Sequence, residues 1–253
     1  MPVDFGRTAS DYARYRVGFP DSFFDRLFER KIVSSEDHVL DLGTGTGTVA
    51  RGLAQRGCSV TGLDPSVALI EQARNLDRNA GVEIQYVQGT AEQTALPDRS
   101  FNVITAGQCW HWFDPPQALK EARRLLVSRG RLIIAHFDWL PFSGNVVEAT
   151  EKLIKKYNPP WDGDDGTGIH VRRFTDLAEG RFLNIESFTF DVLVPYSHEG
   201  WRGRIRASSG VSASLPSEAV ARFDCAHAEL LARSFPTEPL EIPHRVFAVW
   251  GRL

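Results

Sequence analysis

The chain has 253 residues, 42% hydrophobic and 24% charged, with a formal charge of -3, a size and composition that suit one α/β domain with a substantial core. This balance excludes a disordered or fibrous protein, and it gives no general attraction to nucleic acid or an anionic membrane, whose binders concentrate basic residues on one face. The cysteines Cys58, Cys109 and Cys225 are far apart and odd in number, so neither a disulfide framework nor a four-ligand zinc site is expected. No basic, apolar leader opens the sequence and no apolar run approaches the ~18 residues of a membrane span. The expected setting is a soluble cytoplasmic protein with neither a membrane nor a nucleic-acid partner, and nothing in the sequence speaks to its oligomeric state.

In chain order, residues 8–19 read as a short helix stopped by Gly18 and Pro20, and Asp21 starts another whose Phe23, Phe24, Leu27, Phe28 and Ile32 recur at helical spacing. A strand at 38–42 runs into Gly43, Gly45 and Gly47, and a helix follows to about Gly57. A second strand at 59–63 ends in Asp64, a helix closes at 79–81, and a third strand covers 82–88. Strand four is expected at 101–106, a helix from about 115 to 127, and a fifth strand at 131–137, with Gly130 breaking the helix before it. Successive βα units imply a parallel sheet with right-handed crossovers. Further expected elements are a helix at 145–157, a long loop at 158–166, a helix near 172–178, a strand at 184–194, helices around 199–207 and 216–233, and a last strand at 241–251. The whole predicts a Rossmann-like three-layer sandwich: one domain, a seven-stranded, mostly parallel sheet, and an antiparallel last strand. Residues 1–20 are expected to form a lid, and 139–169 and 195–236 to be insertions that shape an acceptor pocket.

Closely spaced glycines after a buried strand let the backbone turn tightly and let a ligand press against the main chain and the first helical turn. The nicotinamide fingerprint G-x-G-x-x-G is not met, because Thr48 stands where its third glycine belongs. An acidic residue at the end of strand two, here Asp64, sits where a carboxylate accepts from ribose hydroxyls.

The stretch Asp41-Leu42-Gly43-Thr44-Gly45-Thr46-Gly47, with Asp64 after strand two, resembles the first motifs of the class I S-adenosylmethionine-dependent methyltransferases. Gly89-Thr90-Ala91-Glu92-Gln93, then Leu96-Pro97 and Phe101-Asn102-Val103-Ile104, is similar to the later signature of their small-molecule branch, the ubiquinone-biosynthesis-like and trans-aconitate-methyltransferase-like enzymes. That branch usually has Asp where Asn102 stands. The likeness covers residues 39–132 strongly, extends to a lid-like segment at 12–20, and is weak beyond Trp139. It implies S-adenosylmethionine as cofactor, with Asp41 and Gly43, Thr44, Gly45, Thr46 and Gly47 at its methionine part, Asp64 on the ribose hydroxyls, and Thr90, Ala91 and Glu92 bordering the adenine. Gln108 would close over the methionine end.

The activated sulfonium donor leaves the protein mainly to hold a nucleophile in line in a dry pocket. Tyr12, Tyr15, Trp110, Trp112, Trp139 and Trp161 are candidate aromatic walls, and His136 ends strand five where it can face the same pocket. His111 is the candidate general base; its alternative is packing between Trp110 and Trp112. Of the arginines in 201–206, Arg204 is the candidate contact for an acidic acceptor, with Arg16 in the lid a second. Asp162, Asp164, Asp165 and Gly166 imitate a calcium loop, but Arg173 stands where the closing Glu belongs, so a polar loop and no metal site is expected. The expected function is methyl transfer to O, N or C of a small molecule. RNA or protein methylation, a non-catalytic S-adenosylmethionine binder and an NAD-dependent oxidoreductase are the alternatives.

Overall fold

The computed structural model describes residues 15, 17–161, 163 and 166–253. Tyr12, Arg16, Asp162, Asp164 and Asp165, and with them most of the expected lid, lie outside the described residues.

In chain order the elements are α1 (Asp21–Glu29), β1 (His38–Leu42), α2 (Thr48–Ala54), β2 (Ser59–Asp64), α3 (Val67–Ala80), β3 (Gln85–Gln88) and β4 (Phe101–Gly107). A 3-10 turn, Trp110–Trp112, precedes α4 (Pro115–Leu125) and β5 (Leu126–Trp139). Then come α5 (Val146–Tyr157), α6 (Arg172–Glu179), β6 (Leu183–Tyr196), α7 (His198–Arg206), α8 (Ser217–Ser234) and β7 (Leu240–Arg252). One seven-stranded sheet has the order β3-β2-β1-β4-β5-β7-β6. Strands β1 to β5 pair in parallel, and the last strands are antiparallel.

Parallel pairing puts the carboxyl ends of β1, β2, β4 and β5 on one edge, and the order reverses beside β1, between β2 and β4. Ligands of open α/β sheets bind at such a reversal. The central strands are covered on both faces, so β1 is buried from Val39 to Leu42 and β4 is apolar and buried at Val103, Ile104 and Ala106.

Two of the boundaries that differ from the sequence reading have a direct physical cause. The third strand starts at Gln85, not 82, because the Val82 N–H caps α3 by donating to the Asp77 carbonyl behind left-handed Gly81. The chain passes straight from α4 into β5 at Leu126, and Gly130 lies inside the strand rather than breaking a helix. Phe101 pairs with Leu126 but Val103 with Arg131, so residues 127–130 bulge out of the ladder.

The chain divides into two compact units. The first comprises Gly18–Phe137, His170–Phe190 and Val246–Leu253; the second comprises Met1–Val17, Asp138–Ile169 and Asp191–Arg245, and holds the segments 139–169 and 195–236. The divisions fall within β5, β6 and β7.

Candidate functional site

The glycine loop of the first unit is fixed from behind by acids. Asp41, 1% exposed at the end of β1, accepts from Thr105 Oγ1 on β4 and from Thr44 Oγ1 in the loop, each at 2.7 Å. Burial raises its carboxyl to about 6, against the lowering effect of those two hydroxyls. Asp64 at the end of β2 accepts from Gly45 N at 2.8 Å and Ser66 N at 2.9 Å. Burial also raises Asp64, opposed by the same two backbone donors.

Gly43, Gly45 and Gly47 all adopt positive φ, and Gly47 caps α2 in the left-handed conformation. A Cβ at Gly47 would meet the Tyr86 hydroxyl at 2.5 Å, whereas one at Gly45 would meet nothing within 4 Å. The loop is therefore packed behind Gly47 and open in front of Gly45. The rear packing was not read from sequence: Arg51 donates to the Thr46 carbonyl at 2.9 Å and pairs with Asp77, which also accepts from Tyr86 Oη at 2.8 Å. Its only sequence signal is a basic residue on α2 facing an acid on α3.

Two further segments meet this carboxyl edge. Thr90 is exposed and Ala91 3% exposed, and the Glu92 carboxylate accepts from Asp114 N at 2.9 Å, which ties this turn to the start of α4. After β4, Gln108 sits at φ 60, donating its backbone N–H to the Ala135 carbonyl and its side-chain amide to the Phe137 carbonyl. A non-glycine residue held there costs of order 1–3 kcal/mol and persists only where its surroundings impose it.

Trp110 is 1% exposed and donates Nε1–H to Asp176 on α6 at 2.9 Å. The structure thus makes it an interior anchor. Trp112 is 49% exposed, and His111 is exposed with its ring 4.7 Å from that of Trp112. The His111 and His136 ring centroids are 6.2 Å apart, and His136 stacks on His170 at 3.6 Å. The stretch 161–171 carries no periodicity that would have singled out His170.

The second unit groups the other acceptor-side candidates around α7. Tyr15 packs on Gly203, where a Cβ would lie 2.3 Å from its ring, and its hydroxyl donates to Glu199 at 3.3 Å. Helical turning separates the arginines: Arg202 and Arg206 both bind Asp224 on α8, while the Arg204 guanidinium lies 4.7 Å over the Trp139 ring. Trp139 donates Nε1–H to Glu151 at 2.8 Å. Half-buried Trp161 packs at Gly210.

The first unit's edge has room and acceptor capacity for a vicinal diol. The space before Gly45 is clear, and an ionised carboxylate has two acceptor directions per oxygen, so two backbone bonds leave Asp64 free to take a diol. Fold and site define a Rossmann-like nucleoside-binding protein.

A family model described as "Methyltransferase domain" matches residues 40–134. A demethylmenaquinone methyltransferase of Thermotoga maritima is 33% identical over 173 residues, 66% of this chain and 72% of that protein. An uncharacterised methyltransferase of Mycobacterium tuberculosis is 35% identical over 132 residues, 52% of this chain and 51% of its own length. The chain spans about half the length of the mycobacterial relatives it matches. The solved YcgJ protein of Bacillus subtilis superposes with a TM-score of 0.58 over 92% of this chain and 98% of its own, at 19% identity, and shares the fold. The chain belongs to the class I S-adenosylmethionine-dependent methyltransferases, and S-adenosylmethionine is that family's cofactor.

Proposed function

We propose that the protein transfers the methyl group of S-adenosylmethionine to a small-molecule acceptor. The observation that carries this reading is the open glycine loop whose Gly45 N–H is held by the buried Asp64 carboxylate. Bound there, the cofactor supplies an activated methyl. Asp64 holds the ribose hydroxyls, Ala91 and Glu92 border the base, and the loop around Gly43 to Gly47 and Gln108 hold the methionine end. Asp41 acts through Thr44, since both its oxygens already accept hydroxyl protons.

Support for a small acceptor comes from the Thermotoga relative, whose name specifies demethylmenaquinone. The -3 charge is poorly matched to RNA. His111, exposed after β4, takes the acceptor's proton where the acceptor binds protonated. Arg204 over Trp139 gives an acidic acceptor a cation beside an aromatic face.

Calorimetry should show S-adenosylhomocysteine binding and no NADH binding; the reverse sinks the reading. Labelled donor incubated with small-molecule extracts, RNA and protein should mark the first alone. With a working acceptor, His111→Ala should slow turnover by roughly 10²-fold or more, and unchanged turnover removes its role as base.

A further inference from the structure

A cavity of about 570 Å³ opens at the amino-terminal ends of β4 and β5, wholly within the first unit. The donor loop lies at the carboxyl ends of the strands, and the seven residues of β4 place about 20 Å between the two edges. Arg99, Lys120, Arg123 and Arg124 line the cavity together with Leu126 and Leu253, and no carboxylate side chain does. Two backbone bonds tie its walls together, from Arg99 N to the Arg124 carbonyl at 3.0 Å and from Ser100 N to the Leu125 carbonyl at 2.8 Å.

The four bases are not equally engaged. Arg124 is neutralised, bonded to Glu121 through Nε and Nη2 and to Asp98 through Nη1. Arg123 donates Nη1–H to the Gly180 carbonyl at 3.1 Å and to the Arg181 carbonyl at 3.0 Å, which fixes the guanidinium and leaves its charge uncompensated. Arg99 and Lys120 are exposed. Among the described residues none of these three pairs with a carboxylate, that of Leu253 included. Bases in the last turn of a helix offset its dipole, which accounts for Arg123 and Arg124 at the end of α4. It does not account for Lys120, a turn earlier, or for Arg99 before β4, whose φ of 50° is a costly setting for a residue with a side chain.

We propose that this cavity binds a phosphorylated small molecule carrying two or more phosphate groups. Guanidinium forks match phosphate oxygens in pairs, and an ammonium adds a point charge. The unpaired charges of Arg99, Lys120 and Arg123 repel one another around one recess, and a polyphosphate among them turns that repulsion into attraction. The net charge of -3 favours a small ligand over an extended polyanion, which would meet the acidic remainder of the surface. Binding here is independent of methyl transfer, and its test needs neither donor nor acceptor.

The purified full chain is titrated calorimetrically with pyrophosphate, orthophosphate and sulfate at one fixed ionic strength, without divalent metal. One equivalent of pyrophosphate should bind, more tightly than either smaller anion. Lys120→Gln and Arg99→Gln, both at exposed positions, should each weaken pyrophosphate binding roughly tenfold or more, the worth of one charge-assisted hydrogen bond. Arg233→Gln on α8 removes the same charge outside the cavity and should leave binding unchanged. Circular dichroism checks that each variant is folded. Absence of saturable pyrophosphate binding, binding untouched by Lys120→Gln and Arg99→Gln, an equal loss on Arg233→Gln, or binding of RNA or anionic vesicles in place of pyrophosphate overturns the proposal.

Discussion

At the scale of single residues, Gly45 and Gly52 separate binding from stability. A methyl at Gly45 enters open space, apart from a backbone cost of roughly 1–2 kcal/mol for an L-residue at φ 57. A methyl at Gly52 would lie 2.2 Å from the Phe24 ring. Gly45→Ala should therefore lower S-adenosylhomocysteine affinity about tenfold or more with a modest fall in melting temperature, and Gly52→Ala should lower the melting temperature while folded protein keeps its affinity. Calorimetry and thermal unfolding check both. Asp64→Ala removes the proposed diol acceptor and the Gly45 N–H partner together, so its affinity loss should exceed that of Gly45→Ala.

The elements explain which parts of the site were legible. Strands, glycine turns and caps are local, so the βα order, Asp41, the glycines and Asp64 could be placed from sequence alone. The bulge at residues 127–130 depends on β4, and helix and strand propensities around Gly130 carry no trace of that pairing. Trp110 is a wide aromatic beside a predicted site, yet its partner is 66 residues away. That partner, Asp176 on α6, is 0% exposed and accepts from Trp110, from Arg172 Nε at 3.0 Å and from Arg173 Nη1 at 3.0 Å. Removing one partner of a buried ion pair typically costs about 3–5 kcal/mol, and the exposure of the Arg172 side chain places Asp176 at the low end of that range. Asp176→Ala should accordingly show a loss of that order in urea unfolding, whereas a loss below about 1 kcal/mol would mean that α6 is not anchored through this carboxylate.

At the scale of the whole molecule, pH should act through histidines of the second unit, opposed by Asp41 of the first, whose raised carboxyl takes up a proton in the folded chain before the unfolded one. Thr150 donates its one hydroxyl proton to the Val146 carbonyl at 2.8 Å and accepts from Trp201 Nε1, so His227 Nε2, 3.1 Å away, must be the donor. Its Nδ1 is then a buried acceptor without a partner among the described residues, and a proton added there would gain no acceptor among them. Burial, opposed by Asp224, lowers His227 to about 4; burial lowers His244 to about 4 as well. Unfolded histidine titrates near 6.5, so between about 6.5 and 4 the unfolded chain binds more protons and stability falls as pH falls. His227 alone should cost about 2 kcal/mol between pH 7 and pH 5. Urea unfolding at the two pH values checks this, and His227→Gln should reduce the difference by about 2 kcal/mol while the share of His244 remains.

The first unit's share of the fold also bears on divergence. Every described donor-loop and rim residue lies in the unbroken run Gly18–Phe137, whereas Tyr15, Trp139, Trp161 and Arg204 come from the separate runs of the second unit. On the proposed assignment of donor and acceptor contacts, mutation can rewrite those runs without touching the residues proposed to hold the methyl donor, so relatives are free to keep a single reagent while changing what they modify.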